Sequence, residues 1–550
     1  MDEQFNNNLN QNEENLGDTF VLPIYVSPEK NETEYVSPIK KEIDFTKAER
    51  IMAFVAAVLA FFFVHLVLWN VQGFFTTAFY IAVITAAIIF MHKSGRKFKA
   101  FHKITAAVLY IFSFVFSVTA NGLIKGLDVV FLFCGGAYLI YSVCSENKSF
   151  GRFLPIELVK SVFEYPFANF GMECTAINST AKKSKLGSNA KLIVAGLLVA
   201  LPLTLVVAAL LMSADSGVER ILVSLADLIH AQNVWTLLIE LALSIPAGCY
   251  LFSMFYSNIH RNGSSLDEIK FENICNGARK INNMVIYSAV TPICLLYGLF
   301  FASQINYFTS AFMGRLPSSY SYAEYARKGF FELFAISVIN ACVILFISFC
   351  SKNSGRNKPK ALKFYTVLIS FFTLLITATA ISKMVMYIQN YGLTQLRVYT
   401  TWFMTLIALM FVYVIIRQFK PDFSFMTCAA VTFTLMFALL CFSRPDALIA
   451  RYNLEYCADS LSYNDIMEMK NLSDDAAAVI LDDRYAPIVK NAIESRSISE
   501  EDDFHSSGIY EHQTCDSYES FVDDILAGLN KNPYAEYNLS AILIRARAGD

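Results

Sequence analysis

Long apolar segments alternate with short polar loops between residues 51 and 443. The first segment, IMAFVAAVLAFFFVHLVLW, extends from Ile51 to Trp69. Because a helix needs roughly 20 mainly apolar residues to cross about 30 Å of hydrocarbon, segments of this length predict membrane-spanning helices. We predict spans at about 51–69, 73–91, 104–124, 127–144, 192–212, 234–256, 284–305, 330–350, 364–386, 399–416 and 425–443. The sequence therefore predicts an all-α fold, a polytopic transmembrane helical bundle of about eleven spans.

The pattern changes on both sides of this region. Residues 1–50 begin MDEQFNNNLNQNEENLGDTF, which is too polar to offset the entropy lost on ordering, so we predict a disordered acidic arm. Residues 444–550 contain no span-length apolar run, but LSYNDIMEMKNL, SDDAAAVILDDRYAPIVKNAI and YESFVDDILAGL have helical periodicity. Ser473, followed by two aspartates, is typical of a helix start. We therefore predict three parts: the arm, a transmembrane domain at 51–443, and an acidic, mainly helical C-terminal region at 444–550.

Charge is distributed unevenly along the chain. Hydrophobic residues make up 55% and charged residues 17% of the chain, whereas soluble proteins have about 25% charged residues. Residues 1–50 have 5 Lys and Arg against 11 Asp and Glu, residues 51–445 have 31 against 15, and residues 446–550 have 8 against 21. A basic membrane region therefore lies between two acidic segments.

The basic residues are concentrated in alternate loops. Loops on one side, such as HKSGRKFKAFHK (His92 to Lys103), hold 23 Lys and Arg, whereas loops on the other side hold six. Since Lys and Arg in short loops stay cytoplasmic, we predict a cytoplasmic N-terminus, and an odd number of spans then makes the C-terminal region extracytoplasmic. Within Ser213–Asn233, GVERILVSLADLIH has one apolar face and predicts a helix lying in the outer interface.

Three tracts at span ends carry the polar chemistry of the predicted outer side: YSYAEYARKGFFEL, KMVMYIQNYGLTQLRVYTTWF and SRPDALIARYN. Arg binds phosphate and carboxylate through paired hydrogen bonds, and Tyr suits a boundary between apolar and aqueous surroundings. One interpretation is a pocket for an anionic lipid head group or an envelope precursor. The other is a belt in which Glu–Arg and Asp–Arg pairs lock helices together. The candidate residues are Glu324, Arg327, Lys383, Tyr387, Tyr391, Arg397, Tyr399, Arg444, Asp446, Arg451 and Tyr452.

Other polar residues lie inside the predicted spans. Glu240 is either an intramembrane proton or cation site or the acceptor of a structural hydrogen bond. Lys383 lies near the outer end of its span, where we expect its amino group to extend to the interface. His65 is expected to have a partner in a helix interface or the core. Three successive spans contain a kinking proline, which favours a cavity between them: Pro202, Pro246 and Pro292.

The cysteine spacing and the lack of known motifs argue against several kinds of functional site. No two of the twelve cysteines have CxxC spacing, so no zinc site is expected, and the sequence predicts no other cofactor. Cys457 and Cys515 both fall in the predicted external region, where an oxidising environment permits a disulfide. The chain has no GxxxxGK[ST] motif, which argues against an ATPase, and nothing in it predicts binding to nucleic acid.

The tracts YAEYARKGFFEL, YGLTQLRVYTTWF and RPDALIARYN, together with SADSGVERIL, resemble an uncharacterised bacterial family of polytopic membrane proteins. This family is the domain of unknown function group 4153/4173. The resemblance covers about Leu192 to Asn453. It implies a bacterial inner-membrane protein, but it brings no activity and no catalytic residue.

Three functions remain open. The first is a non-enzymatic envelope component acting in assembly, maintenance or sensing. The second is a transporter or flippase for a lipid-linked or anionic solute, favoured by the kinked spans and Glu240. The third is a membrane transferase or hydrolase acting on lipid-linked substrates at the outer face, with Asp215, Glu324 and Asp446 as its acidic candidates. The partner that all three require is the lipid bilayer.

Overall fold

The computed structural model describes residues 44–70, 72–183, 231–260, 279–303, 330–352, 358–458, 461–499, 517–529 and 537–548, with four isolated positions at 207, 273, 276 and 277. Ten helices within these ranges are long and apolar enough to cross a membrane: Lys47–Trp69, Phe74–Lys93, Ala100–Val118, Gly122–Cys144, Trp235–His260, Asn283–Ala302, Glu332–Cys350, Lys360–Tyr391, Gln395–Phe419 and Phe425–Phe442. They correspond to ten predicted spans. Apart from position 207, the predicted span 192–212 lies outside the described residues, as do the first 43 residues and almost all of Ser213–Asn233.

The helices are numbered in chain order. They are α1 (Lys47–Phe63, continued by a π-helical turn, Val64–Trp69), α2 (Phe74–Lys93), α3 (Ala100–Ser113), α4 (Val115–Val118), α5 (Gly122–Cys144), α6 (Leu154–Val159, continued by a π-helical turn, Lys160–Glu164), α7 (Tyr165–Ala168), α8 (Met172–Lys183), α9 (Ala231–His260), α10 (Asn283–Ser303), α11 (Phe330–Cys350), α12 (Lys360–Tyr391), α13 (Gln395–Phe419), α14 (Phe425–Phe442), α15 (Pro445–Tyr456), α16 (Tyr463–Lys470), α17 (Asp474–Ile480), α18 (Ala486–Ser499), α19 (Tyr518–Leu529) and α20 (Leu539–Ala548).

The long helices expose large apolar side chains. Phe54, Leu299 and Leu439 are among those left uncovered on α1, α10 and α14. An apolar surface of this extent is unfavourable in water but suits the hydrocarbon of a bilayer, and helices satisfy their own backbone hydrogen bonds there. The protein is therefore an all-α, multi-pass membrane protein, as the sequence predicted.

Small residues allow α1 and α9 to pack closely along one another. Ala53, Ala56 and Ala60 of α1 are buried, and the buried Phe252 and Phe255 lie on α9. Residues without bulky side chains let helix backbones approach each other, which is the usual source of helix association in lipid. This helix pair supports two of the ionisable contacts described below.

The boundary between the third and fourth spans differs from its prediction. The sequence placed it near residue 125, but α4 ends at Val118 and α5 begins at Gly122. Asn121 caps α5, because its side chain accepts a hydrogen bond from the Ile124 amide at 2.9 Å. Lys125, which had been assigned to a loop, lies within α5 and is only 5% exposed. Its ammonium group donates to the Gln72 carbonyl, so a single backbone acceptor allows the charge to enter the helix.

A helical segment between the fourth and fifth predicted spans was not anticipated. It comprises α6, its π-helical turn, α7 and α8. Val159, Phe163 and Phe167 are exposed along it. A short helix with exposed apolar side chains suits the boundary between head groups and acyl chains.

The C-terminal helices share an apolar cluster of their own. Its fully buried members include Ile466, Ile480, Val489, Phe521 and Ile544. The predicted amphipathic tracts are helical, although SDDAAAVILDDRYAPIVKNAI forms two helices, α17 and α18, with a turn between them. This cluster is joined to the membrane helices, since the Phe74 amide donates to the Tyr537 carbonyl at 3.1 Å.

Candidate functional site

The helix ends form two groups, and polar contacts define each of them. The starts of α1 and α12 lie at what we call the basic end, where a series of polar contacts joins the connections that are rich in Lys and Arg. The ends of α1 and α12 lie at what we call the distal end. The C-terminal helices contact the distal end, through the connection between α4 and α5 and the connection between α12 and α13.

Asp475, at the start of α17, is the centre of a polar contact at the distal end. Its side chain is fully buried. The hydroxyl groups of Thr119 and Ser540 donate to it. The Arg444 guanidinium also donates to it, with Nε and Nη2 each 3.3 Å from Oδ1. These partners come from the α4–α5 connection, the start of α15 and α20, so one carboxylate joins the membrane helices to the C-terminal helices.

Asp446, in the first turn of α15, makes a second contact of the same kind. It is fully buried, and its Oδ2 accepts from Asn121 Nδ2 at 2.7 Å and from Ser473 Oγ at 2.6 Å. Its Oδ1 accepts from Gln395 Nε2 at 2.8 Å. Asn121 Nδ2 also donates to Tyr399 Oη at 2.9 Å. We call the combined set the aspartate network: Thr119, Asn121, Gln395, Tyr399, Arg444, Asp446, Ser473, Asp475 and Ser540.

Ser473 has a different role from the one the sequence predicted. It does precede α17, as expected, but its side chain makes no capping hydrogen bond to that helix. Its hydroxyl donates to the Asp446 carboxylate, a charged acceptor with which a hydrogen bond is strong.

The backbone at Arg444 is held in an unfavourable conformation. Its φ of 51° and ψ of 70° lie in the left-handed region, which costs a non-glycine residue roughly 1–2 kcal/mol. Pro445 follows and begins α15. This geometry turns the Arg444 side chain toward Asp475, so the ion pair offsets the backbone strain.

Acidic charge is concentrated at the start of α17. Burial and the neighbouring Asp475 carboxylate both raise the pKa of Asp474, while the Lys125 ammonium group acts in the opposite direction. Arg444 supplies the positive charge that Asp475 contacts directly, and uncharged donors satisfy the other oxygens of the network.

A second set of contacts connects the α12–α13 connection to α15. Asn453 Oδ1 accepts from the Leu393 amide at 2.7 Å, and Asn453 Nδ2 donates to the Leu393 carbonyl at 3.0 Å. Arg397 donates to the carbonyls of Tyr391 and Gly392, and its guanidinium lies 4.0 Å from the centre of the Tyr387 ring. Arg397 thus closes the end of α12, where helix carbonyls otherwise have no partner.

The structure divides the residues that the sequence had grouped into one outer-face site. Arg444, Asp446 and Tyr399 belong to the aspartate network, whereas Tyr387, Tyr391 and Arg397 interact with one another. Two further described members contact neighbours on their own helix: Arg451 pairs with Glu455 at 2.9 Å, and the ring of Tyr452 packs on that of Tyr456. Glu324, Arg327 and Cys515 lie outside the described residues, so the disulfide with Cys457 stays a prediction.

Lys383 does not extend to the interface as expected. It is 3% exposed, and α12 continues beyond it to Tyr391, so the residue lies inside the helix rather than near its end. Glu332, in the first turn of α11, acts electrostatically on its ammonium group.

Sequence reasoning named none of six residues of the network as candidate site residues: Thr119, Asn121, Gln395, Ser473, Asp475 and Ser540. Asn121 carried a recognisable signal, since Asn before an apolar run is a common helix cap. Asp475 was used only as a sign of a helix start. Nothing local distinguished Thr119 or Ser540, whose roles depend on a partner 356 and 65 positions away in the chain.

The family of the chain follows from a comparison with family models. The model described as "Domain of unknown function (DUF4153)" matches residues 104–482. The chain belongs to the DUF4153 family. The matched region is wider than the resemblance seen in the sequence, and it contains both the α4–α5 connection and α17. No curated protein and no solved structure matches the chain.

Within the DUF4153 region, Glu240 of α9 is 3% exposed and faces α1. Its carboxylate oxygens lie 3.0 and 3.2 Å from His65 Nδ1, in the π-helical turn that ends α1. At the other end of the same pair, the buried Glu49 of α1 lies 2.6 Å from His260 Nε2 of α9. Each helix therefore contributes one glutamate and one histidine to the interface. Across the described ranges no group of three or more His, Cys, Asp or Glu side chains could hold a metal.

Proposed function

We propose that this protein is a non-enzymatic component of a bacterial cell membrane, acting in envelope assembly, maintenance or sensing. In this role the membrane helices hold the acidic C-terminal region at the extracytoplasmic surface. The observation that supports it is the burial of Asp446 and Asp475 among donors from both regions. Carboxylates whose oxygens already accept these hydrogen bonds hold the C-terminal helices against the membrane helices, and they are not available to bind a substrate.

The proposed orientation is supported by charge. The connections at the basic end carry the Lys- and Arg-rich loops, which remain cytoplasmic in most membrane proteins. The C-terminal helices contact the distal end instead. We therefore propose that the N-terminus is cytoplasmic and that α15–α20 are outside the cell membrane.

Labelling of introduced cysteines tests this arrangement. Asp523 is exposed on α19, and Lys97 is exposed in the α2–α3 connection at the basic end. In intact cells, we expect a membrane-impermeant maleimide to label Asp523→Cys but to leave Lys97→Cys unlabelled until the cells are opened. The unsubstituted protein gives the background from the native cysteines. The reverse labelling pattern would place the C-terminal helices in the cytoplasm and remove the envelope role.

A transporter or flippase is the second candidate, and the position of Glu240 favours it. A lipid-facing glutamate would have argued against transport, but Glu240 is turned toward His65 and α1. Pro246 and Pro292 lie within α9 and α10, where a proline removes a backbone hydrogen bond. The transferase alternative has less support, because Asp446 is enclosed and Asp215 and Glu324 lie outside the described residues.

Glu240→Gln distinguishes transport from a structural hydrogen bond. Glutamine keeps the shape and a hydrogen bond to His65 but cannot ionise or release a proton. If Glu240 serves transport, the variant should fail to restore a deletion strain while its abundance in the membrane is unchanged. The measurement is envelope-stress sensitivity of the complemented strain, with exposed Glu519→Gln as the control. Full complementation by Glu240→Gln would leave only the structural role.

A further inference from the structure

Basic side chains from four separate connections converge at the basic end. Arg152 follows α5, Arg279 precedes α10, Lys358 and Lys363 flank the start of α12, and Arg417 lies near the end of α13. Lys358 is half-buried, the charges of the other four act on it, and its Nζ donates to Gln418 Oε1, next to Arg417, at 3.3 Å. We call these five residues the cation cluster.

Contacts between the connections bring these cations together. The Arg417 guanidinium lies 5.8 Å from the centre of the Phe425 ring at the start of α14. Two residues further on, the Thr427 hydroxyl donates to the Phe150 carbonyl at 3.5 Å, which holds the connection that carries Arg152. The loop around Arg417 and the loop around Arg152 are thereby fixed against the same helix.

Arg279 is held by a neighbouring pair of connections. The Ile281 amide donates to the Cys350 carbonyl at 3.2 Å, and the Lys352 amide donates to the Ile281 carbonyl at 3.1 Å. These bonds join the start of α10 to the end of α11. The Nε atom of Arg279 is buried and has no hydrogen-bond partner within the described part of the chain.

The cation cluster is electrostatically unfavourable when no anion is bound. Burial and the charges of Arg417, Arg279, Lys363 and Arg152 lower the pKa of Lys358 to about 8. Like charges that converge in this way repel one another, and a buried donor without an acceptor adds a further cost. Such a cost is offset when an anion binds among the cations.

Two acidic side chains of the described residues lie five positions from cations of the cluster, Glu157 from Arg152 and Asp422 from Arg417. Glu157 accepts a hydrogen bond from Tyr138 Oη at 3.1 Å, and Asp422 lies in the turn after α13 with an interaction of its own. These two carboxylates are fewer than the five cations of the cluster. The surface beside the cluster is also apolar, since Phe364 and Phe419 are exposed at the adjoining ends of α12 and α13.

We propose that the cation cluster binds the phosphate group of an anionic ligand at the basic end of the membrane helices. Lys and Arg are the usual protein ligands of phosphate, and Arg adds paired hydrogen bonds to its oxygens. The start of α12 adds the positive end of a helix dipole. A phospholipid head group and a soluble phosphate compound share this chemistry, and the exposed Phe364 and Phe419 favour the lipid. The inference does not depend on the proposed envelope role.

Binding to the full-length protein in a neutral detergent tests the proposal. The probes are phosphatidylglycerol, zwitterionic phosphatidylcholine and inorganic phosphate, and the readout is the ligand-dependent rise in melting temperature. We expect Lys358→Gln to weaken phosphatidylglycerol binding about fivefold, the effect of one charge near a membrane surface. Lys97→Gln removes one cation from the same end outside the cluster and should leave binding unchanged.

Each outcome of the binding measurements either supports or contradicts phosphate binding by the cation cluster. Stabilisation of the unsubstituted protein by inorganic phosphate identifies a soluble ligand, and stabilisation by phosphatidylglycerol alone identifies a head group. Equal stabilisation by phosphatidylglycerol and phosphatidylcholine, or equal responses of Lys358→Gln and the unsubstituted protein, overturns the proposal. Lys363→Gln, at a half-buried position in the first turn of α12, provides a second variant. Without an anion, both variants should melt no lower than the unsubstituted protein, because each relieves repulsion.

Discussion

Replacement of Asp475 by alanine is expected to lower the free energy of unfolding by about 3–5 kcal/mol, the usual cost of removing one partner of a buried ion pair. The substitution leaves the largely buried Arg444 guanidinium without its counter-charge. It also removes the acceptor of the Thr119 and Ser540 hydroxyls. We expect a lower melting temperature in detergent and faster proteolytic release of the C-terminal helices.

Two control experiments test whether the loss of stability comes from the Asp475–Arg444 ion pair. Asp523→Ala removes an exposed aspartate from the same acidic region and should change stability by no more than about 0.5 kcal/mol. In a double-mutant cycle, Asp475→Ala combined with Arg444→Ala should cost less than the sum of the single substitutions. A loss below about 1 kcal/mol for Asp475→Ala, or an additive cycle, would mean that this ion pair does not hold the two regions together.

Gly392→Ala is expected to destabilise the distal end by about 2–4 kcal/mol, through backbone strain and a lost hydrogen bond. Gly392 has a φ of 73° and a ψ of −176°, a conformation almost restricted to glycine. An added Cβ would lie 2.6 Å from Asn453 Oδ1. Asn453 would have to move away from the Leu393 amide, which removes a contact between α15 and the membrane helices. Thermal unfolding in detergent measures the loss.

Gly136→Ala is the matched control for this substitution. Gly136 lies inside α5, and an added Cβ would meet nothing within 4 Å. Alanine is favoured over glycine in a helix interior, so the control should be neutral or stabilising by up to about 1 kcal/mol. If Gly392→Ala melts at the same temperature as the unsubstituted protein, the α12–α13 connection does not fix α15.

The spans were predictable because membrane insertion depends on local sequence. Each apolar segment contributes its own transfer free energy, and each must be about as long as the hydrocarbon is thick. All ten described spans occur where the apolar pattern indicated them. The prediction fails at Lys125. A charged residue was taken to mark a loop, because its hydrogen-bond acceptor, the Gln72 carbonyl, cannot be identified from the local sequence.

The candidate site was predictable only in part. The Arg444–Pro445–Asp446 tract stood out because charged residues are unusual beside an apolar span. Its partners could not be found in the same way, since Asn121 and Asp475 come from distant parts of the chain. Nothing in the sequence distinguished Arg397 from Arg451. In the structure, Arg397 closes the end of a helix, whereas Arg451 makes an exposed ion pair with Glu455.

The sequence by itself determined that this chain crosses the membrane many times and that its basic loops share one side. Both properties follow from the hydrophobicity and charge of each segment, which hardly depend on the neighbouring segments. Only the tertiary structure decided that Asp446 and Asp475 join the C-terminal helices to the membrane helices, and that Glu240 faces His65. Such contacts depend on which helix ends are neighbours, and helix packing in lipid is set by side-chain shape and pairing rather than by composition.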